Sequence, residues 1–172
     1  MIGGPLGVPG TNEIIPVINA LIPKFPLVIA TQDWHPADHL SFTVNNPKDG
    51  LWPVHCVQGT SGAELVEGLH QDQITAIFQK GQDRNVDSYS AFFDNAQQKT
   101  TGLDAYLKKR GIEKLVVVGV ATDYCVLYSV LDALKLGFSV EVVPDACRGI
   151  NVGPGDEQRA FEEMKRLGAF IY

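Results

Sequence analysis

The sequence has no apolar run of the roughly eighteen residues that a transmembrane helix needs, so no spanning segment is expected. It opens without a basic stretch leading into an apolar one, which argues against a secretory signal. Cysteine is scarce: Cys56, Cys125 and Cys147 are 3 in 172 residues, too few for a disulfide scaffold. Positive charge is in deficit, with 14 Lys and Arg against 20 Asp and Glu and a net charge of −6. That balance disfavours a nucleic-acid partner, whose phosphates call for a basic face. Ser/Gly-rich linkers, low-complexity tracts and internal repeats are also missing, so residues 1–172 read as a single domain. What remains is globular composition, 45% hydrophobic and 20% charged, in a chain long enough to bury a core without staples. These features suit a reducing, cytoplasmic protein with neither a nucleic-acid nor a membrane partner, in which a special cysteine is special for its thiolate. The sequence leaves a homo-oligomer open.

Strand and helix patterns alternate along the chain. Pro26–Thr31, Ile74–Gln79, Lys114–Val120, Ser139–Val143 and Ala169–Tyr172 are short apolar runs without strict alternation, which suits strands buried on both faces of a parallel sheet. Asn12–Ile22 carries Ile14, Ile15, Ile18, Leu21 and Ile22 on one stripe, with Thr11 or Asn12 as cap and Pro16 near the first turn. Leu103–Arg110 and Gly155–Leu167 also read as helices. Tyr124–Leu136 is apolar nearly all round and so is expected to be well buried. Three helices end in a glycine, at Gly111, Gly137 and Gly168, each followed shortly by a strand. The predicted fold class is α/β, a mostly parallel sheet with helices on both faces. Residues 32–70 stand apart as a long loop holding all 4 histidines, and loops of that length are usually functional.

Two constellations carry chemistry. The segment Asp33-Trp34-His35 follows a strand, where ligand-bearing loops of open α/β sheets belong. In extended chain, residues i and i+2 point the same way, so Asp33 and His35 reach one ion together. His55 supplies a third donor from across the loop. One carboxylate and two imidazoles suit one divalent metal ion, Zn²⁺, Mn²⁺ or Fe²⁺, with positions left for water or substrate. The alternative is a polar loop whose histidines bond backbone. His39 is a weaker candidate ligand, His70 a surface residue, and Cys56 and Cys147 small buried groups. The second constellation centres on Cys125. A buried strand, Val116–Val120, runs into Ala121-Thr122-Asp123-Tyr124-Cys125 and then a helix. That places the thiol in the first helical turn, where free N–H groups and the helix dipole lower its pKa and can hold an oxyanion. The alternative is a packed core cysteine. Lys80, directly off a strand end, is either a rim residue or a cation facing the site.

TQDWHPADHLSF, LWPVHCVQGTSGAEL, FQKGQDRNVDSYSAFFD, GVATDYCV and DACRGI occur in that order. Together they resemble the nicotinamidase/pyrazinamidase branch of the isochorismatase-like cysteine hydrolases, over nearly the whole chain. The resemblance implies a six-stranded parallel sheet and hydrolysis of nicotinamide, a small-molecule substrate, to nicotinate and ammonia. It implies Cys125 as nucleophile and Lys80 as its catalytic partner. It also implies Asp33, His35 and His55 as metal ligands, with His39 a fourth in some members. Ala121 and Cys125 would give the oxyanion N–H pair, after a cis peptide preceding Ala121. Trp52 and Tyr89 would border the pyridine ring.

One departure matters. The family opens with an apolar strand ending in a D-x-Q-N-D-F type motif, whose first Asp is the acid/base member of the triad. Met1–Gly10 matches the loop that follows it, so no carboxylate here corresponds to that Asp and five strands are expected where the family has six. A central strand with about five buried apolar side chains, each contributing roughly 1.5–3 kcal/mol, rivals a domain's whole stability of about 5–15 kcal/mol. That comparison favours a natural product that starts upstream of Met1. The competing expectation is a catalytically impaired remnant that binds ligand or metal.

Overall fold

The computed structural model describes residues 4–172, and Met1, Ile2 and Gly3 of the expected N-terminal loop lie outside them. The element order is α1 (Thr11–Leu21), β1 (Ile29–Asp33), β2 (Ala76–Lys80), α2 (Leu103–Lys109), β3 (Lys114–Val120), α3 (Leu127–Lys135), β4 (Ser139–Arg148), α4 (Asp156–Arg166) and β5 (Phe170–Ile171). Every strand pairing is parallel: β1 with β2, β3 with β4, and β4 with β5. The strands hydrogen-bond in two groups, β1–β2 and β3–β4–β5, and among the described residues no strand joins one group to the other. The α/β class and the five strands expected from the sequence are what the structure contains.

The core explains the helical patterns. Val126, Val130 and Ala133, at i, i+4 and i+7, pack with Val140 and Val142 of β4 and with Ala160 and Met164 of α4. Fully burying each of the larger side chains stabilises the fold by about 1.5–3 kcal/mol. α1 lies over β3 and β4 with Ile14 buried, outside that cluster. Tyr128 on α3 is 44% exposed, so α3 is amphipathic and not buried all round.

Local departures from the sequence reading have identifiable causes. α1 is capped by Gly10 in the left-handed conformation, and neither Thr11 nor Asn12 caps it through a side chain. The Thr11 hydroxyl instead donates backwards to the Val8 carbonyl at 2.7 Å. Pro16 sits inside α1 and not in its first turn. β4 runs past Val143 to Arg148 because its pairing with β3 resumes beyond an irregularity: Val117 faces Val142, then Gly119 faces Cys147. Pro144, which has no N–H to pair, falls within the skipped stretch. β1 and β2 both end later than the apolar runs, at Asp33 and Lys80.

Candidate active site

Those late strand ends build the site. β1 and β2 run parallel and in register, so their last residues, Asp33 and Lys80, are direct partners. Neighbouring strands lie only about 4.8 Å apart, which brings the two charges together. Lys80 Nζ is 2.5 Å from Asp33 Oδ1, in an ion pair. Burial would push the Lys80 ammonium down, but Asp33 and Cys125 outweigh it and the pKa is raised, so Lys80 stays charged. Burial likewise pushes the Asp33 carboxyl up, and Lys80 with His35 pulls it below the ordinary value. Lys80 Nζ also donates to the Ser88 carbonyl at 2.7 Å and to Cys125 Sγ at 3.3 Å. This side chain thus links the β1–β2 pair to the element that follows β3.

That element is not the first turn of an α-helix, as the sequence suggested, but a π-helical turn, Thr122–Val126, preceding α3. The Ala121 carbonyl accepts from both the Tyr124 and Val126 amides, at 3.2 and 3.0 Å, and the Val120–Ala121 peptide is cis. π-turns of this kind are rare and gather at functional sites. Burial pushes the Cys125 thiol up, and the Lys80 ammonium and the Ala121 backbone amide pull it back without cancelling the rise. The expected lowering by a helix terminus is therefore overturned by desolvation. Cys147 is buried and its thiol is pushed up to about 12, chiefly by burial. Cys56 is only partly buried, with φ 45 and a thiol pushed up to about 11, first by burial and then by Asp33.

Beyond β1 the chain continues extended: Trp34 N–H donates to the Lys80 carbonyl at 2.9 Å, and His35 N–H to the Cys56 carbonyl at 3.0 Å. This pairing sets His35 beside the loop carrying His55, their ring centroids 4.9 Å apart. Donor atoms of Asp33, His35 and His55 all lie within 4.8 Å of one another, so the sequence trio converges. Its surroundings suit a cation. The Asp33 carboxyl, pushed up by burial but held below its ordinary value by Lys80 and His35, is ionised, although its Oδ1 already faces the Lys80 ammonium at 2.5 Å. His35 Nδ1 lies 2.8 Å from the Gly81 carbonyl and His55 Nδ1 2.8 Å from the Pro53 carbonyl. A carbonyl only accepts, so Nδ1 carries the proton in both rings and Nε2 presents its lone pair.

His39 differs. It is fully buried, 4.5 Å from His35 between ring centroids, but its Nδ1 accepts from the Ser41 amide at 3.1 Å. Its Nδ1 also lies 2.7 Å from Ser41 Oγ, its Nε2 is buried without a hydrogen bond, and its donor atoms converge with those of His35 and Asp87 in a second trio. Gly81 fits tightly against the His35 ring: at φ +67, an added Cβ would sit 2.3 Å from His35 Cε1. His70 is exposed.

Asp33, His35, His55, Trp52, Tyr89, Ala121 and Cys125 all border one cleft. Trp52 Nε1 donates to the Tyr89 hydroxyl at 3.1 Å, fixing the two rings relative to each other. The sequence reading missed Tyr124, Ile150 and Leu6, which border the same cleft. Tyr124 meets Trp52 edge-on at 4.8 Å, and its place directly before the nucleophile candidate was the available signal. Ile150 and Leu6 lie in segments covered by the resemblance, DACRGI and the Met1–Gly10 loop, but neither carries a polar group that would mark it as part of a site.

Comparison with known proteins gives a consistent picture. The isochorismatase domain model matches residues 1–172. The nicotinamidase of Escherichia coli (strain K12) is 47% identical over 186 residues, covering 99% of this chain and 87% of that protein. The structure of PnC1 from L. infantum in complex with nicotinate superposes with a TM-score of 0.92 at 38% identity, over 99% of this chain and 84% of that one. The pyrazinamidase of Pyrococcus horikoshii in complex with zinc has a TM-score of 0.86 at 43% identity, over 100% of this chain and 91% of that one. The alternative of an impaired binding remnant draws no support from these similarities. The chain belongs to the isochorismatase family, in its nicotinamidase/pyrazinamidase branch.

Proposed function

We propose that this amidohydrolase cleaves nicotinamide, and pyrazinamide-like carboxamides, to the acid and ammonia through a thioester on Cys125. The observation that carries the reading is the contact of Cys125 Sγ with the buried, charged Lys80 at 3.3 Å, in the cleft that also holds the Asp33–His35–His55 donors. A carboxamide is a poor electrophile with a poor leaving group, so a covalent intermediate divides one hard step into two. Cys125 attacks the carboxamide carbon as the thiolate, held by the Lys80 ammonium. The Ala121 and Cys125 amides receive the developing oxyanion. The thiol proton passes to solvent, the departing nitrogen takes one proton from water and leaves as ammonia, and a second water then cleaves the thioester to return the thiol. Trp52 and Tyr89 hold the ring. Asp33, His35 and His55 would hold one divalent ion, Zn²⁺, Mn²⁺ or Fe²⁺, which supplies Lewis-acid binding of a ring nitrogen and so orients the amide toward sulfur. The unpaired cysteines fit the cytoplasmic setting we assign, and among the described residues no helix is long and apolar enough to cross a membrane. The direct test is ammonia release from nicotinamide, with a covalent adduct on Cys125 seen by mass spectrometry. Absence of both at high enzyme concentration sinks the reading.

Two results follow from the geometry. Iodoacetamide near neutral pH should label Cys125 first: burial raises its thiol as it raises those of Cys56 and Cys147, but Cys125 alone of the three touches a cation, the Lys80 ammonium, and borders the cleft. Equal labelling of all three in the folded protein would contradict this. Chelation should remove about one ion per chain and raise KM, while changing the Cys125 labelling rate by no more than a few fold, because Asp33 reaches the sulfur only through Lys80. A labelling rate that collapses with the metal would show the two functions are not separable.

A further inference from the structure

The mechanism leaves unused a buried carboxylate two residues before the nucleophile. Asp123 is 8% exposed and directs both oxygens at backbone: Oδ1 accepts the Ile150 N–H at 2.9 Å and Oδ2 the Asn151 N–H at 2.7 Å. Hydrogen bonds to an ionised acceptor are about twice as strong as neutral ones. The two amides belong to the turn leaving β4, the end of the DACRGI segment to which the catalytic reading gives no task, and Ile150 borders the cleft together with Ala121, Tyr124 and Cys125. The contact is tight: a Cβ on Gly149 would lie 2.8 Å from Glu157 Cβ and 3.3 Å from Asp123 Oδ1. The circuit closes through α4. Asn151, at φ 54, accepts the Glu157 N–H at 2.9 Å on its side-chain oxygen, and Glu157 Oε1 accepts the Thr122 hydroxyl at 2.8 Å. The turn that carries the nucleophile and the turn that carries Ile150 are therefore tied at adjacent residues, Thr122 and Asp123.

We propose that Asp123 is a positioning residue: its carboxylate clamps the Ile150 turn against the nucleophile turn and so fixes the wall that Ile150 presents to the substrate ring. A carboxylate suits this task because two N–H donors converge on it. An amide has one oxygen, and its NH₂ would face the second donor. The inference rests on the proposed function for the identity of the ring.

The test compares wild type, Asp123→Asn, Ile150→Ala and the double variant by steady-state hydrolysis of nicotinamide and by nicotinate binding, followed through tryptophan fluorescence. Asp123→Asn should raise KM and the nicotinate Kd about 10-fold, with kcat within about threefold and the Cys125 labelling rate unchanged. Ile150→Ala should do the same, and the double variant should be no worse than the poorer single, since both remove one wall. A merely structural Asp123 would lower the melting temperature and the yield of active enzyme while leaving KM and Kd alone. Unchanged KM and Kd in Asp123→Asn, or additive effects in the double variant, overturn the clamp. Should Asp123→Asn not fold, unchanged KM and Kd in Ile150→Ala overturn it alone. Wild type that binds nicotinate without releasing ammonia from nicotinamide fails the proposed function only, because the Kd comparison still decides the clamp.

Discussion

Cys125→Ala should lower ammonia release from nicotinamide by about 10⁴-fold or more while leaving nicotinate binding within a few fold, because removing a nucleophile deletes the covalent route and leaves the binding groups in place. The cleft's other contributors, Trp52, Tyr89 and the Asp33–His35–His55 trio, do not depend on the sulfur for their positions. Trp52 is held by Tyr89, and the histidines are held by the Gly81 and Pro53 carbonyls. The substitution removes one partly buried atom at a turn that is fixed by backbone bonds to the Ala121 carbonyl, so the melting temperature should change little. Cys56→Ala and Cys147→Ala are the controls and should keep wild-type turnover. Retention of more than a hundredth of the activity in Cys125→Ala would require a different nucleophile.

Lys80→Met should have the second largest effect, and on two axes. Turnover should fall by about 10²–10³-fold, the usual cost of deleting one group that stabilises charge at the reacting centre. Stability should fall as well, by about 1–3 kcal/mol, because the change leaves the buried Oδ1 of the partly exposed Asp33 without its cation. The ammonium also holds the Ser88 carbonyl, so the segment bearing Tyr89 loses an anchor. Stopped-time ammonia assays and urea midpoints measure the two effects separately. If added divalent metal restores stability without restoring turnover, the trio neutralises Asp33 while the sulfur still lacks its partner. A Lys80→Met enzyme within tenfold of wild type would remove Lys80 from the reaction.

Strand and helix identities were legible because their cause is local. Branched apolar runs such as Val116-Val117-Val118 and glycine stops such as Gly137 and Gly168 act within a few residues. The strand ends were misjudged at β1 and β2 because Gln32, Asp33 and Lys80 are polar, and only the register of a parallel pair explains why they remain strand. The nearness of Asp33 and His35 was legible because extended geometry gives i, i+2 spacing meaning, and folding brings His55 from across the loop to within 4.8 Å of both. The convergence of His39 with His35 and Asp87 is a tertiary arrangement with no sequence signature. The thiol shift was misjudged for the same reason. The helix dipole can be read from position, but the burial that outweighs it comes from elements elsewhere in the chain. Ile150 enters the cleft only through folding.

The fit of Gly81 against His35 has a consequence for how this site can vary. With no side chain between the end of β2 and the imidazole, and with its own carbonyl on the ring, Gly81 makes strand and ligand move as one piece. A shift of β2 is then transmitted to the His35 lone pair without a cushion. Phe78, three residues earlier on the same strand, packs edge-on against Tyr106 of α2 at 5.2 Å. On the proposed metal reading, repacking that distant pair would shift His35 without altering any of the three donors, so a library meant to change metal preference would include positions beneath β2.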